Sequence, residues 1–223
     1  MDISSILTAG NFIILFKAAL MSLGIALVSA IFGSLIGIVI AFCKLSKNFI
    51  LKAFGNIYVE LIRGTPMLLQ ILFFFLGFPV LYQMITGSYL RVDIYICGIV
   101  ALSINSGAYC AELIRSQIIN IDKGQHEASK TLGLSEYQTM RYVILPQALR
   151  RLVAPFVSEF IMLIKDSSLL GTIGVVELLQ QARLIGSQYY NYLIPLLMAS
   201  AYYLIMTIVI SYFANKIERK LTI

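Results

Sequence analysis

Glu159 is the residue of this 223-residue chain whose setting most needs a reason. It lies in the otherwise apolar run 152–164, with no basic residue three or four positions away on either side. If that run crosses a membrane, a charge at its centre costs about 2.5–3.5 kcal/mol on insertion scales. An acid without a partner on its own helix is then expected to face a cavity, a cationic ligand, or a group on another span or a second subunit. Ser158 beside it, and Ser103, Asn105 and Ser106 in another apolar run, are candidate polar lining, equally able to serve as interhelical hydrogen bonds. Glu60 and Arg63 stand three apart on one helix face and are expected to neutralise one another as a structural pair, with gating as the alternative role. The Gly64-Thr65-Pro66 that follows breaks the helix and offers a hinge. Glu112 and Arg115 share the same spacing and form an anchor pair at a span end, while Lys165 and Asp166 are an adjacent, self-neutralising pair.

Other chemistries find no residues. Cys43, Cys97 and Cys110 are scattered in or beside apolar runs and read as buried free thiols; with His126 as the one histidine, no metal-ligand spacing arises. No G-x-x-x-x-G-K-[ST] phosphate loop occurs, so the chain is expected to hydrolyse no nucleotide and to carry no cofactor of its own.

The elements that would position these residues are membrane spans. Hydrophobic residues make up 59% of the chain and charged ones 13%, about half the share of a soluble domain, and the mean hydropathy is +0.87. Charge-free stretches of 26, 27, 18 and 32 residues follow Lys17, Arg63, Asp93 and Arg183, against the ~20 apolar residues a bilayer core requires. A water-soluble domain is excluded, and so is a single-anchor peripheral protein. Five helical spans are expected, at about residues 12–42, 57–81, 94–111, 147–164 and 190–214, with 167–182 an extracytoplasmic re-entrant or interfacial segment interrupted by Gly171 and Gly174. The fold class is all-α and polytopic, a single transmembrane domain over 1–223, since no alternating strand pattern occurs. Twelve Lys/Arg fall on the side of the 44–52 loop, the 115–151 loop and the C-terminus, and four on the other. The excess puts the C-terminus in the cytoplasm and the N-terminus outside. The net charge of +6 has the same origin, and no basic, aromatic-interleaved face for nucleic acid is present. No basic n-region precedes the first apolar stretch, so no removed signal peptide is expected.

The loop 115–151 is the one long polar insertion, and its punctuation is legible. Glu127 to Leu132 reads as a helix that Gly133 ends in the left-handed conformation. Ser135 restarts a helix, with Gln138 completing a capping box, and Pro146 is expected to close this second piece. A capped helix–turn–helix with Leu132, Leu134, Tyr137 and Tyr142 near its turn suits docking of a soluble partner; the competing reading lays it on anionic headgroups.

At this point the residues resemble a family. Glu127-Ala128-Ser129, three residues, Gly133, nine residues, then Val143-Ile144-Leu145-Pro146 is similar to the EAA signature of bacterial ABC importer permeases, E-A-A, three residues, G, nine residues, I-x-L-P. Ser129 and Val143 are mild departures. Glu60-Leu61-Ile62-Arg63-Gly64-Thr65-Pro66, Ala108-Tyr109-Cys110-Ala111-Glu112 with Arg115, and Lys165-Asp166-Ser167-Ser168-Leu169 resemble the polar amino-acid branch, the histidine/arginine/glutamine type. The resemblance covers about residues 12–214. It implies a type I importer fold in the bacterial inner membrane. The expected partners are a second permease subunit, homo- or heterodimeric, an extracytoplasmic amino-acid-binding protein and two ABC ATPase subunits carrying ATP and Mg. It assigns 127–146 as the coupling helix seated on the ATPase, with Glu127, Ala128, Ser129, Gly133, Leu134, Leu145 and Pro146 as coupling residues. The expected function is ATP-driven import of polar, and from Glu159 basic (Arg, Lys or His), amino acids by alternating access at the dimer interface. An ion-gradient-driven transporter or channel subunit is the alternative, but clear intramembrane ion ligands and inverted repeats are missing. A non-transporting scaffold would leave Glu159 and Lys165-Asp166 without a reason.

Overall fold

The structure, a computed structural model, describes residues 3–221. The expected placement of the chain ends rests partly on residues 1–2 and 222–223 and on the Arg219 side chain, which lie outside the described residues. The described residues are mostly helical and contain no strand. The helices are α1 (Ala9–Leu45), α2 (Phe49–Arg63), α3 (Met67–Leu72), α4 (Phe78–Thr86), α5 (Ile94–Ile119), α6 (Lys123–Thr131), α7 (Glu136–Thr139), α8 (Leu145–Asp166), α9 (Leu178–Gln188) and α10 (Leu193–Leu221). Four of these segments, Ala9–Leu45, Met67–Thr86, Ile94–Ile119 and Leu193–Glu218, are long and apolar enough to cross a membrane. α8 has 22 residues, but Arg150, Arg151, Glu159, Lys165 and Asp166 keep it from the same apolar composition.

Two expectations are corrected by backbone chemistry. The apolar segment placed at 57–81 does not begin at Ile57: α2 stops at Arg63, and the chain restarts as a helix at Met67. Pro66 has no N–H to continue the ladder and biases Thr65 away from helical dihedrals, so residues 49–63 and 67–86 are separate helices. The second correction concerns Pro146, which does not close a helix. The turn Met140–Ile144 is π-helical, and Pro146 stands in the first turn of α8, so α7 passes into α8 without a break. A widened π turn ahead of the proline removes the need for its missing donor and clears the ring from the preceding turn. The same device precedes Pro79, where the π turn Phe73–Gly77 joins α3 to α4.

α1 and α5 form the most extensive helix pair. Their contact is a stripe of small residues, with Gly33 and Gly37 of α1 against Ser106 and Cys110 of α5. A Cβ added at Gly37 would lie 2.5 Å from the Cys110 Cβ, so the backbones meet at a distance only glycine allows. α3, α8 and the 3₁₀ turn Ser167–Ile173 close on this pair through Ile71, Leu102, Ile164, Leu170 and Val175. A second cluster, Leu15, Ala19, Leu178, Ala182 and Ile185, holds α9 against the start of α1. A third, Ile118, Ile121, Ile144 and Ala148, roots the α6–α7 hairpin on the ends of α5 and α8.

Candidate functional site

A cavity of about 340 Å³ opens where the end of α2 meets the C-terminal half of α5 and the middle of α8. α2 supplies Arg63; α5 supplies Tyr109, Glu112, Leu113 and Ser116; α8 supplies Pro155, Ser158, Glu159 and Met162. The break after Arg63 lets a residue at a helix terminus face this space. The Arg63 guanidinium lies 5.1 Å from the centroid of the Tyr109 ring, within the range of a cation–π contact. This departs from the expected Glu60–Arg63 pair. Glu60 is exposed, and among the described residues no carboxylate is within ion-pair distance of Arg63.

Glu112 does find the partner expected of it and a second one besides. Its carboxylate accepts from Arg115 through both Nε, at 3.0 and 3.1 Å, and Nη2, and from Lys44 Nζ of α1 at 2.8 Å. Both of its oxygens are therefore occupied, and α1 is tied to α5 beside the cavity. Glu159 is half-buried and makes no ion pair among the described residues. The Ser106 hydroxyl and the Arg63 guanidinium are polar neighbours of its carboxylate. Ser158 lines the same space while donating to the Ala154 carbonyl of its own helix at 3.1 Å.

Of the other proposed lining residues, Ser106 neighbours the Glu159 carboxylate, whereas Ser103 and Asn105 are engaged elsewhere. The Ser103 hydroxyl donates to Ile99 O one turn earlier, at 2.6 Å, and Ser106 is buried against Gly33. Asn105 donates to Gln70 Oε1 at 2.9 Å, and Gln70 Nε2 in turn donates to Ile62 O at 2.7 Å and to Thr65 O and Oγ1 at 3.1 and 2.9 Å. Asn105 thus takes the interhelical role, clamping the α2–α3 break rather than lining the cavity. Lys165 is exposed and Asp166 half-buried at the end of α8, and the two form no ion pair with each other.

Gln70 was not singled out from sequence, and neither was Glu177. Glu177 is fully buried and caps α9, accepting from Leu179 N at 2.9 Å and Gln180 N at 2.7 Å. It also accepts from the Tyr203 hydroxyl at 2.9 Å and the Ser22 hydroxyl at 3.4 Å, joining α1, α9 and α10. Its sequence signal is faint, because Glu is uncommon at a helix cap and the run around it is apolar.

Pro146 apart, the loop 115–151 folds as its punctuation requires. Gly133 has φ +76°, Leu134 N donates to Ser129 O and Gly133 N to Lys130 O, both at 3.0 Å. These are the two bonds of a Schellman ending. Ser135 and Gln138 form the capping box in both directions, at 3.3 and 2.8 Å. Around this turn Leu132, Tyr137 and Tyr142 are 79%, 75% and 69% exposed, an apolar tip on a polar, rigidly capped hairpin. Lys47 Nζ pairs with Glu136 at 3.1 Å, and that hydrogen bond holds the Glu136 carboxyl below the usual carboxylate range.

A helical membrane bundle with a half-buried acid on a cavity wall and a capped polar hairpin is the architecture of a membrane transport subunit. Residues 33–223 match the family described as "Binding-protein-dependent transport system inner membrane component", and the chain belongs to that family. It is 36% identical over 210 residues to the glutamine transport system permease protein GlnP of Escherichia coli (strain K12), covering 94% of each chain. With the putative glutamine transport system permease protein GlnP of Rickettsia typhi it shares 34% over 207 residues, 93% of this chain and 92% of the relative. Among solved structures it matches "an amino acid ABC transporter with histidines" at a TM-score of 0.90 and 34% identity, over 99% of both chains. The MetNI methionine ABC transporter matches at 0.76 and 22% identity, which speaks to fold alone. The fold is that of type I ABC importer permeases, and the chain is a transport component rather than a catalytic one.

Proposed function

We propose that this chain forms the transmembrane pathway of an ATP-driven importer of polar amino acids, with basic ones preferred, by alternating access between two permease chains. Amino-acid import is supported by the GlnP relatives, which align along nearly the whole chain. The basic preference is carried by one observation: Glu159 stands on the cavity wall without an ion partner among the described residues. A cationic side chain entering the cavity would supply the counter-charge that the fold itself withholds. Glutamine is the second reading, favoured by the names those relatives carry.

Coupling runs through 127–146. The Schellman turn and capping box make a stiff hairpin, and exposed Leu132, Tyr137 and Tyr142 give it an apolar tip to seat on an ABC ATPase that holds ATP and Mg. Because α7 continues into α8 through the π turn, displacement of the hairpin moves the helix that bears Glu159. One chain has one such hairpin, so a pair of ATPases calls for two permease chains. The Lys/Arg excess on its side supports a cytoplasmic hairpin, with an amino-acid-binding protein on the opposite face. The test is reconstitution with the co-encoded ATPase and binding protein in liposomes, screening amino acids for stimulated ATP hydrolysis. Stimulation by arginine, lysine or histidine is expected. Stimulation by glutamine alone would keep the importer and remove the role of Glu159. With all partners assembled, no stimulation by any amino acid would refute the importer reading.

A further inference from the structure

Nearer the hairpin than the Glu159 cavity, a trough of about 480 Å³ runs between α1, α5 and α8. Ala41 and Ala148, both buried, floor it, and Phe42, Leu149, Val153 and Phe156 stand along its walls. No polar side chain is among its lining residues. On α8 the lining positions 145, 148, 149, 152, 153 and 156 form one stripe, centred about 100° around the helix from the cavity residues Pro155, Ser158, Glu159 and Met162. The trough is therefore not an arm of that cavity. Phe42 and Leu149 are exposed at its open side, while Ile118 and Ala148 also belong to the cluster that roots the α6–α7 hairpin.

Shape and surroundings select the occupant. From Leu145 to Phe156 the trough follows α8 for about 16 Å at 1.5 Å per residue, the depth of one leaflet of a ~30 Å hydrocarbon core. Spread over that length, its volume leaves a section of about 30 Å², too narrow for a helix of about 10–12 Å diameter and right for a single hydrocarbon chain. Water finds no partner in a space lined only by apolar groups, and an empty trough forfeits dispersion contacts along its walls. A cation stands ready toward the hairpin end. Arg150, next to Leu149, is exposed, and among the described residues no carboxylate is within ion-pair distance of it. Such a side chain snorkels to headgroup level, where its fork matches a phosphate. We propose that the trough is a phospholipid site: one acyl chain from the leaflet on the hairpin side lies between α8 and the α1–α5 pair, with its phosphate at Arg150. The chain then packs against the helix that continues from the hairpin, at the root of the coupling element, whichever amino acid the cavity takes.

The test replaces Phe156, inside the trough, or Val39, exposed on α1 outside it, by the photo-crosslinking residue p-benzoylphenylalanine in the permease–ATPase complex. Samples are illuminated either in phospholipid nanodiscs or after exchange into detergent, and adducts are read by intact-protein mass spectrometry. At position 156 the permease is expected to gain the mass of one phospholipid, with a yield that stays within about twofold through the exchange, because three helices hold the chain. At position 39, where boundary lipid touches a single wall, the yield should fall about tenfold or more. Val153→Trp fills the trough and should lower the adduct at 156 about tenfold without changing that at 39 in nanodiscs. Leu149→Trp, at the open side, carries this arm should Val153→Trp fail to co-purify with the ATPase. Arg150→Gln should cut the retained adduct about two- to fivefold, as exposed charge pairs allow; full retention would overturn the headgroup assignment. Equal loss at 156 and 39 on exchange would mean ordinary boundary lipid and overturn the site, as would an undiminished adduct in both tryptophan variants. An adduct at 156 with the mass of a second permease chain would give the trough to the dimer and refute a lipid site.

Discussion

Asn105 on α5 reaches across to Gln70 on α3 at 2.9 Å, and through Gln70 it secures the carbonyls that the Gly64–Pro66 break leaves without helical partners. The break that aims Arg63 into the cavity is therefore held by a buried amide pair. Asn105→Leu leaves Gln70 with an unsatisfied oxygen, a cost of about 1–3 kcal/mol. The expected result is a lower unfolding temperature of the permease–ATPase complex with an unchanged arginine midpoint of stimulated ATP hydrolysis. A shifted midpoint at unchanged unfolding temperature would instead make Asn105 part of the substrate wall.

Glu177 offers the sharpest stability test. Its carboxylate receives two backbone N–H groups of α9 and the hydroxyls of Tyr203 and Ser22. Glu177→Ala removes a helix cap, worth about 0.5–2 kcal/mol, and strands a buried tyrosine hydroxyl for about 1–3 kcal/mol more. Thermal unfolding in detergent should show a clear drop, partly restored in Glu177→Gln, which keeps an acceptor. Equal stability of the alanine variant would contradict the network.

Much of this was legible because it is local. Gly133, the Ser135–Gln138 box, the break at Gly64–Pro66 and the Glu112–Arg115 spacing each need only a few consecutive residues to declare themselves. The long charge-free runs likewise announce Ala9–Leu45, Met67–Thr86, Ile94–Ile119 and Leu193–Glu218 as membrane-length helices. Residues settled by distant neighbours were not legible. Arg63 looked paired to Glu60 at three residues' spacing, but the ring that takes it, Tyr109, is 46 positions away. Lys44 adds to Glu112 from another helix, and Glu177 is a cap whose other partners come from α1 and α10. Pro146 misled for a different reason: its usual helix-ending effect is absorbed by a π turn, a backbone state that has no residue signature.

The Gly133 turn separates coupling from recognition. At φ +76° nothing lies within 4 Å of where a Cβ would be, so a side chain there meets backbone strain and no clash. A β-branched residue in the left-handed region costs more than the ~1–2 kcal/mol typical of a non-glycine residue, enough to open the Schellman turn. Gly133→Val should therefore lose stimulated ATP hydrolysis for every amino acid, while arginine binding to the membrane cavity in nanodiscs stays within about twofold of wild type. Gly133→Asn, which tolerates the left-handed region better, should recover much of the loss. Full stimulation in the valine variant would mean the hairpin does not carry the signal.

Glu159→Gln acts at the other end of the same mechanism. The substitution keeps size and most hydrogen bonding but removes the charge, so the fold should hold and the complex should assemble with its ATPase. What is lost is the attraction for a cation in a low-dielectric cavity, about 1.5–3 kcal/mol for a charge-assisted contact, or roughly ten- to a hundredfold in affinity. Arginine-stimulated ATP hydrolysis, measured as a function of arginine concentration, should shift its midpoint upward by that factor, with glutamine stimulation unaffected. Lys44→Met provides the internal control. It removes one of the two cations on Glu112 and leaves Glu159 in place, and should lower the unfolding temperature without moving the arginine midpoint. If instead both variants shift the arginine midpoint equally, the effect is a general loosening of the α1–α5–α8 junction, and Glu159 has no selective role.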